Sequence, residues 1–137
     1  MLSLRKSAYV VMASLFLLMA ACSGRRDLSA KGAEGARGAA EYFYELLSKG
    51  ETRKYVDNMS GVAAMDSSKY RQFVDLMDQF LQEEKELRGG ILSATACREQ
   101  MVEDTLAMVF LNVSFGDSTR EEVMLPVVYT GGRWWIR

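Results

Sequence analysis

The strongest constraint on the fold is a single change in the spacing of apolar residues, which occurs at Gly89–Gly90. Before this pair, apolar residues recur every three or four positions, as on one face of an α-helix. After it, they follow a period of two, as in β-strands. A chain with helices first and strands afterwards predicts an α+β fold, in which the helices pack on one face of an antiparallel sheet.

Three helices are predicted before the change of period. The first covers residues 36–47 and a short second one covers 51–58. The third begins after a cap within Asp66–Ser68 and ends at Gly89, because capping residues and glycine mark the two ends of helices. Its apolar face is long and consists of Tyr70, Phe73, Val74, Met77, Phe80, Leu81 and Leu87.

A meander of about four strands is predicted after the change of period, over residues 91–101, 105–115, 120–129 and 133–137. The pairs Gly116–Asp117 and Gly131–Gly132 are typical of hairpin turns, and residues 102–104 form the turn between the first two strands. Pro126 cannot donate a backbone hydrogen bond, so it indicates a sheet edge or a bulge within the third strand.

The middle strands are apolar on both sides, although antiparallel sheets usually leave one face polar and solvated. The helices can cover one face, and the second face is then the candidate binding surface for a ligand or partner. The alternative is that the short helix and residues 60–65 pack on it. The candidate residues are Met108, Phe110, Met124, Val128, Tyr129, Trp134 and Trp135, with one of the two tryptophans expected on this face.

Composition excludes several classes of function. The 137 residues carry 17 basic and 18 acidic side chains, so one domain without the basic excess of a nucleic-acid-binding protein is expected. The chain has no histidine, which excludes Ser-His-Asp and Cys-His nucleophiles and histidine-ligated zinc. No metal, cofactor or catalytic residue is predicted, and the acidic residues Glu83, Glu84 and Glu86 are interpreted as a solvated helix face.

The N-terminus predicts export. Arg5 and Lys6 precede the apolar run Tyr9–Met19, whose eleven residues reach roughly 16 Å as a helix, about half of a ~30 Å hydrocarbon core. This length is typical of a signal peptide, here residues 1–21. A flexible tether over residues 22–33 and an α+β domain over residues 34–137 are expected to follow.

The segment Leu18–Cys22 resembles the lipobox of bacterial lipoproteins, with Met19 where leucine is usual. The resemblance implies cleavage between Ala21 and Cys22 and acyl chains, such as palmitate, that attach Cys22 to the membrane. The alternative is an ordinary secretory signal with an incidental cysteine. An acylated Cys22 would leave Cys97 without a disulfide partner, and we expect Cys97 to be a small buried apolar residue.

The location expected for such a lipoprotein is the cell envelope. The residues after Cys22, Ser23–Gly24, include no acidic cluster that would suggest display on the cell exterior. The outer membrane, facing the periplasm, is therefore favoured.

The globular part resembles small bacterial lipoproteins of unknown function with a nuclear-transport-factor-2-like (cystatin-like) cone domain. The resemblance lies in the segment Ala40–Glu51 with the following Tyr55 and Met59, in the turn Glu103–Ala107, and in the terminal Gly132–Ile136. It implies helices packed on a curved antiparallel sheet and carries no catalytic residues. Relatives with this fold include isomerases, dehydratases and pure binding modules.

Three functions are consistent with these features. The first is a non-catalytic module that binds an apolar ligand or an envelope protein. The second is a homodimer or larger homo-oligomer that buries the second face against another copy. The third is an enzyme of the isomerase type, with a carboxylate base and a tyrosine donor; its candidate groups are Tyr129, Glu99, Glu103 and Asp104.

Overall fold

The structure is a computed structural model that describes residues 27–137. Helices precede strands, as the change of period at Gly89–Gly90 predicts. The elements are α1 (Gly32–Ser48), α2 (Thr52–Asp57), a 3₁₀ turn (Val62–Ala64), α3 (Ser67–Arg88), β1 (Ile91–Glu103), β2 (Leu106–Phe115), β3 (Arg120–Thr130) and β4 (Arg133–Ile136). Within this range, no helix has the length and apolar character needed to cross a membrane.

The ends of α3 lie where the capping residues predict them. The Asp66 carboxylate accepts a hydrogen bond of 2.7 Å from the backbone N–H of Lys69, which satisfies one of the free donors of the first turn. At the other end, Gly89 has a φ of 79°, the left-handed conformation that glycine adopts most readily. The predicted extent of this helix is therefore confirmed.

The four strands form one antiparallel sheet in the order β1-β2-β3-β4. The pairing of β1 with β2 shifts register at three places, including one between Ala96 and Arg98. Each such irregularity bends a strand and increases its twist. Pro126 lies in an interior strand, but its carbonyl accepts from the N–H of Arg137, just beyond the last residue of β4. The missing N–H of Pro126 therefore falls where the β3–β4 pairing ends.

Helix α1 covers one face of the sheet, which we call the inner face. Alanines at positions 36, 39 and 40 let the helix approach the strands closely, and Phe43 and Leu47 extend the contact. All five residues are buried. The inner-face residues that they meet are Ala107, Val109, Leu111, Val113, Phe115, Leu125, Val127, Trp134 and Ile136.

The segment after α2 attaches to the free edge of β4. The N–H of Ile136 donates to the carbonyl of Asn58 (2.8 Å), and the N–H of Ser60 donates to the carbonyl of Ile136 (2.7 Å). This segment completes the hydrogen bonding of a short edge strand. It leaves the apolar residues of the opposite sheet face half-buried or exposed, so the alternative in which it packs over that face does not hold.

Helix α3 is held by few buried contacts. Of its apolar residues, only Val74 is buried, whereas Phe80 is 36% exposed and Leu87 is 76% exposed. The helix is joined to α2 through polar bonds, such as the 2.6 Å bond from the hydroxyl of Thr52 to the carboxylate of Asp78. Most of its predicted apolar face is therefore not part of the core.

The N-terminal end of the described chain is bound to β4 through Trp134. The backbone N–H of Trp134 donates to the carbonyl of Leu28 (2.9 Å), and its indole N–H donates to the carbonyl of Ala30 (2.8 Å). The hydroxyl of Tyr129 donates to the carbonyl of Ser29 (2.8 Å). Fixed structure therefore starts within the range 22–33, which the sequence assigns to a tether.

Replacement of Trp134 by alanine is expected to destabilise the fold far more than the same change at Trp135. Trp134 is fully buried, and its removal leaves a large cavity and an unpaired carbonyl at Ala30, a loss of about 3–5 kcal/mol. Trp135 lies on the opposite face and is only half-buried. Urea unfolding followed by circular dichroism measures both; equal losses would contradict the described packing.

Candidate functional site

The face opposite α1, which we call the outer face, brings together five of the residues predicted from the sequence: Met108, Phe110, Met124, Val128 and Trp135. Phe110 pairs with Met124 across β2 and β3, and Val128 pairs with Trp135 across β3 and β4. Leu106 and Pro126 complete the surface, through pairs with Val128 and Met108. We call these seven residues the outer patch.

None of the outer-patch residues is buried, in contrast to the inner face. Met124 is 49% exposed, and the other six are half-buried, because their strand neighbours cover only their flanks. A continuous apolar surface of this kind on a folded domain usually marks an interaction site.

Two of the predicted residues lie elsewhere. Trp134 is on the inner face and is fully buried. Tyr129 is on the same side, where its ring meets the edge of the Trp134 indole at a centroid distance of 5.2 Å. Side chains alternate along a strand, so the tryptophan of β4 that lies on the outer face is Trp135 and not Trp134.

Arginines border the outer patch. The guanidinium of Arg98 lies 3.8 Å from the centre of the Phe110 ring, and that of Arg133 lies 3.8 Å from the Trp135 ring. Arg120 and Glu122 alternate with Met124 along β3, so their side chains are on the same face of the sheet as the patch. Arg98 also forms an ion pair of 2.8 Å with Glu122. Glu103, which pairs with Leu106 of the patch, adds a second carboxylate to that of Glu122, so this face has three arginines against two glutamates around an apolar centre.

The candidate acid–base groups do not converge. Glu99 forms an ion pair with Arg37 (3.4 Å), and the hydroxyl of Tyr129 is bonded to the backbone of Ser29. Glu103 and Asp104 are exposed at the turn between β1 and β2. Within residues 27–137, no three cysteine, aspartate or glutamate side chains are grouped closely enough to hold a metal ion.

Cys97 is exposed, so the prediction that it is a buried apolar residue is wrong. It lies at the register shift between Ala96 and Arg98, where the alternation of the strand is interrupted. Its thiol donates a hydrogen bond to the carbonyl of Phe110 (3.2 Å). The other predicted residues, Ala21 and Cys22 of the cleavage and acylation site, lie outside the described residues.

A second concave surface, which sequence reasoning missed, lies between the helices. It is a groove of about 480 Å³ between α1, α2 and α3. Its walls include Tyr44, Leu47, Tyr55, Leu76, Phe80 and Glu83. The signal for it in the sequence is the apolar face of α3, which is longer than the core needs.

Two tyrosines in the groove are held in their neutral form. Burial, followed by the negative charges of Glu121 and Glu84, raises the pKa of Tyr44 to about 12. Burial, followed by the neighbouring Tyr44, raises the pKa of Tyr55 as well. Neither hydroxyl has a hydrogen-bond partner among the described residues, so both remain available as donors.

Glu84 departs from the interpretation of the acidic residues as a solvated face. Its side chain is only 15% exposed, and its Oε2 atom is buried without a hydrogen bond. The contact that compensates its charge is an ion pair of 3.5 Å with the Nε atom of Arg88. Glu83 and Glu86 are exposed, as predicted.

The raised pKa of Tyr44 predicts a loss of stability at high pH. Above its usual value of 10.0, the unfolded chain releases this proton, whereas the folded protein retains it up to about pH 12. The free energy of unfolding is therefore unaffected below pH 10 and decreases as the pH rises from 10 to 12, by about 2–3 kcal/mol for this group. Urea unfolding of Tyr44→Phe across this range should show a shallower decrease; a curve parallel to that of the wild type would contradict the assignment.

Comparison with known proteins identifies the fold. Neither a protein-family model nor a curated protein matches the sequence. Among solved structures, a candidate NTF2-like transpeptidase from Campylobacter jejuni superposes with a TM-score of 0.57 at 15% identity, over 72% of this chain and 93% of that one. Helices followed by an open antiparallel sheet, together with this similarity, show that residues 27–137 have the NTF2-like α+β fold.

Proposed function

We propose that this chain is a lipid-anchored protein of the cell envelope, and that its NTF2-like domain binds a protein partner through the outer patch without catalysing a reaction. The observation that carries the proposal is the outer patch itself, seven apolar residues on three adjacent strands that the helices leave uncovered.

The shape of the outer patch favours a protein over a small molecule. Small-molecule sites are concave and enclose most of their ligand, whereas protein interfaces are broad, with an apolar centre and a polar rim. The outer patch is one face of a sheet, formed by three neighbouring strands. Phe110 and Trp135 are of the residue type enriched in such centres, and arginine is enriched there as well.

The rim indicates the charge of the partner. Arg98 and Arg133 lie against rings of the patch, and Arg120 lies further along β3 on the same face; the carboxylates on this face are those of Glu122 and Glu103. Complementary charge raises association rates and selects among partners. The partner is therefore expected to present an apolar surface bordered by carboxylates.

The anchor belongs to the proposal through Cys22 and the preceding lipobox-like segment. Each buried methylene contributes about 0.8 kcal/mol, so two or three acyl chains hold a protein stably on a membrane. The proposed location is the outer membrane, with the domain facing the periplasm.

The similarity to a candidate transpeptidase does not extend the proposal to that reaction. At 15% identity the likeness concerns the fold, and one fold supports many unrelated activities. Cys97, a nucleophile type that transfer reactions use, lies on the surface beside Phe110, and this chain contains no histidine to activate it.

The proposed anchor predicts that Cys22 is the acylation site. Cells grown with an alkyne-bearing analogue of palmitate should label the wild-type chain, and Cys22→Ser should abolish the label and retain residues 1–21. Cys97→Ser is the matched control and should be labelled normally. Labelling that persists in Cys22→Ser, measured by mass spectrometry of the intact chain, would exclude this anchor.

The proposed partner site predicts position-specific crosslinking. A photoreactive benzoylphenylalanine at Met124 should give a discrete adduct with a second envelope protein in living cells. The same residue at Leu87, which is more exposed but lies on α3, should not. Reversing the rim charge with Arg120→Glu should weaken the Met124 adduct, because an acidic partner would then be repelled.

Each alternative outcome has a definite meaning. A product of twice the chain's mass, with no other adduct, would show that a second copy covers the outer patch and would overturn the protein-partner proposal. Equal adducts at Met124 and Leu87, or none at Met124, would also overturn it. Circular dichroism of the purified variants confirms that they fold.

A further inference from the structure

The groove between α1, α2 and α3 is lined by two tyrosines, Tyr44 and Tyr55, whose hydroxyls make no hydrogen bond within the described residues. Tyr55 is 8% exposed and lines the groove, yet its hydroxyl has no hydrogen-bond partner among the described residues. Among the described residues the buried side-chain atom that lacks a partner is Oε2 of Glu84, so the hydroxyl of Tyr55 is solvent-accessible, and a molecule in the groove can replace water as its hydrogen-bond acceptor. Tyr44 lines the same groove, and its hydroxyl also has no hydrogen-bond partner among the described residues.

The rest of the groove is suited to an apolar molecule. Leu47 of α1 and Leu76 and Phe80 of α3 form its walls. A volume of about 480 Å³ lies within the range of about 300–1,000 Å³ that small-molecule sites occupy. Leu76 remains 63% exposed and Phe80 36% exposed, so an occupant would bury apolar surface that the fold leaves in water.

The charges around the groove select against an anion. The carboxylate of Glu83 is part of the wall. Near Tyr44, the two carboxylates of Glu84 and Glu121 share the single guanidinium of Arg88, so the balance of charge around the groove is negative. The tyrosines remain protonated at neutral pH and act as hydrogen-bond donors. The complementary ligand therefore has an acceptor oxygen but no negative charge.

We propose that this groove binds a neutral, lipid-like molecule whose carbonyl or hydroxyl oxygen accepts hydrogen bonds from Tyr44 and Tyr55. The apolar part of the molecule would lie against Leu47, Leu76 and Phe80. This site is separate from the outer patch and does not depend on the proposed function or on the anchor.

The test compares two probes with the same chain length and different charge. The full chain, in detergent micelles, is titrated with 1-monododecanoylglycerol or with dodecanoate, and bound adducts are counted by native mass spectrometry. The neutral ester is expected to bind at least about tenfold more tightly than the anion. The double variant Tyr44→Phe/Tyr55→Phe is expected to lose about tenfold in affinity for the ester, since it removes both hydroxyls and retains both rings.

A second variant keeps the proposal testable if the tyrosine variant does not fold. Leu76→Ser changes an exposed wall residue and should weaken binding of the ester, whereas Leu87→Ser, on the same helix but outside the groove, should not. Hydrogen exchange should show protection of residues 44–55 and 76–83 by the ester. Equal binding of the two probes, or equal effects of the two serine variants, would overturn the proposal.

Discussion

The indole of Trp134 joins the beginning of the described chain to its last strand. The residues packed against it leave no space for a larger side chain at Gly35. The indole N–H bonds to the carbonyl of Ala30. Gly35 of α1 lies so close that a Cβ atom there would be 1.7 Å from the Ala30 oxygen and 3.0 Å from the indole nitrogen. A glycine is therefore required at this turn of α1, and the short strand β4 is fixed by side-chain contacts more than by its own length.

The outer patch is uncovered because the helices and the segment after α2 all pack elsewhere. A single layer of helix, α1, buries the inner face, and the segment after α2 is used to complete the edge of β4. Helix α3 is tied to α2 and to the β2–β3 hairpin. The carbonyl of Arg88 accepts from the N–H of Asp117 in the turn, and its guanidinium pairs with Glu121 of β3. The apolar residues of β2 and β3 that face away from α1 are therefore left without cover from the helices.

The sequence predicted the order of elements, the ends of α3 and the two-sided apolar character of the sheet, because local periodicity and capping chemistry determine these features. It left open which of Trp134 and Trp135 faces α1, since the parity of one strand relative to the next depends on the turn between them. For Tyr129 the candidate surface was drawn wrongly, because alternation within β3 already places it on the face opposite to Val128. The sequence pattern placed Cys97 inside, because a bulge at Ala96–Arg98 leaves no mark on composition. The groove was missed for a similar reason: the apolar pattern of α3 gives the direction of a face, and only the packed structure shows that this face is partly uncovered.

The hydrogen bonds from Trp134 to Leu28 and Ala30 also determine which side of the domain the proposed anchor would bring to the membrane. Five peptide steps separate Cys22 from Asp27, a reach of at most about 18 Å, and the next residues are already bonded to β4. An acylated Cys22 would therefore keep the β4 side of the domain near the head groups. Trp135 of the outer patch and Arg133 of its rim belong to that side. A partner that docks on the patch would consequently have to be reachable at the membrane surface, which favours another membrane-associated protein over one that diffuses freely.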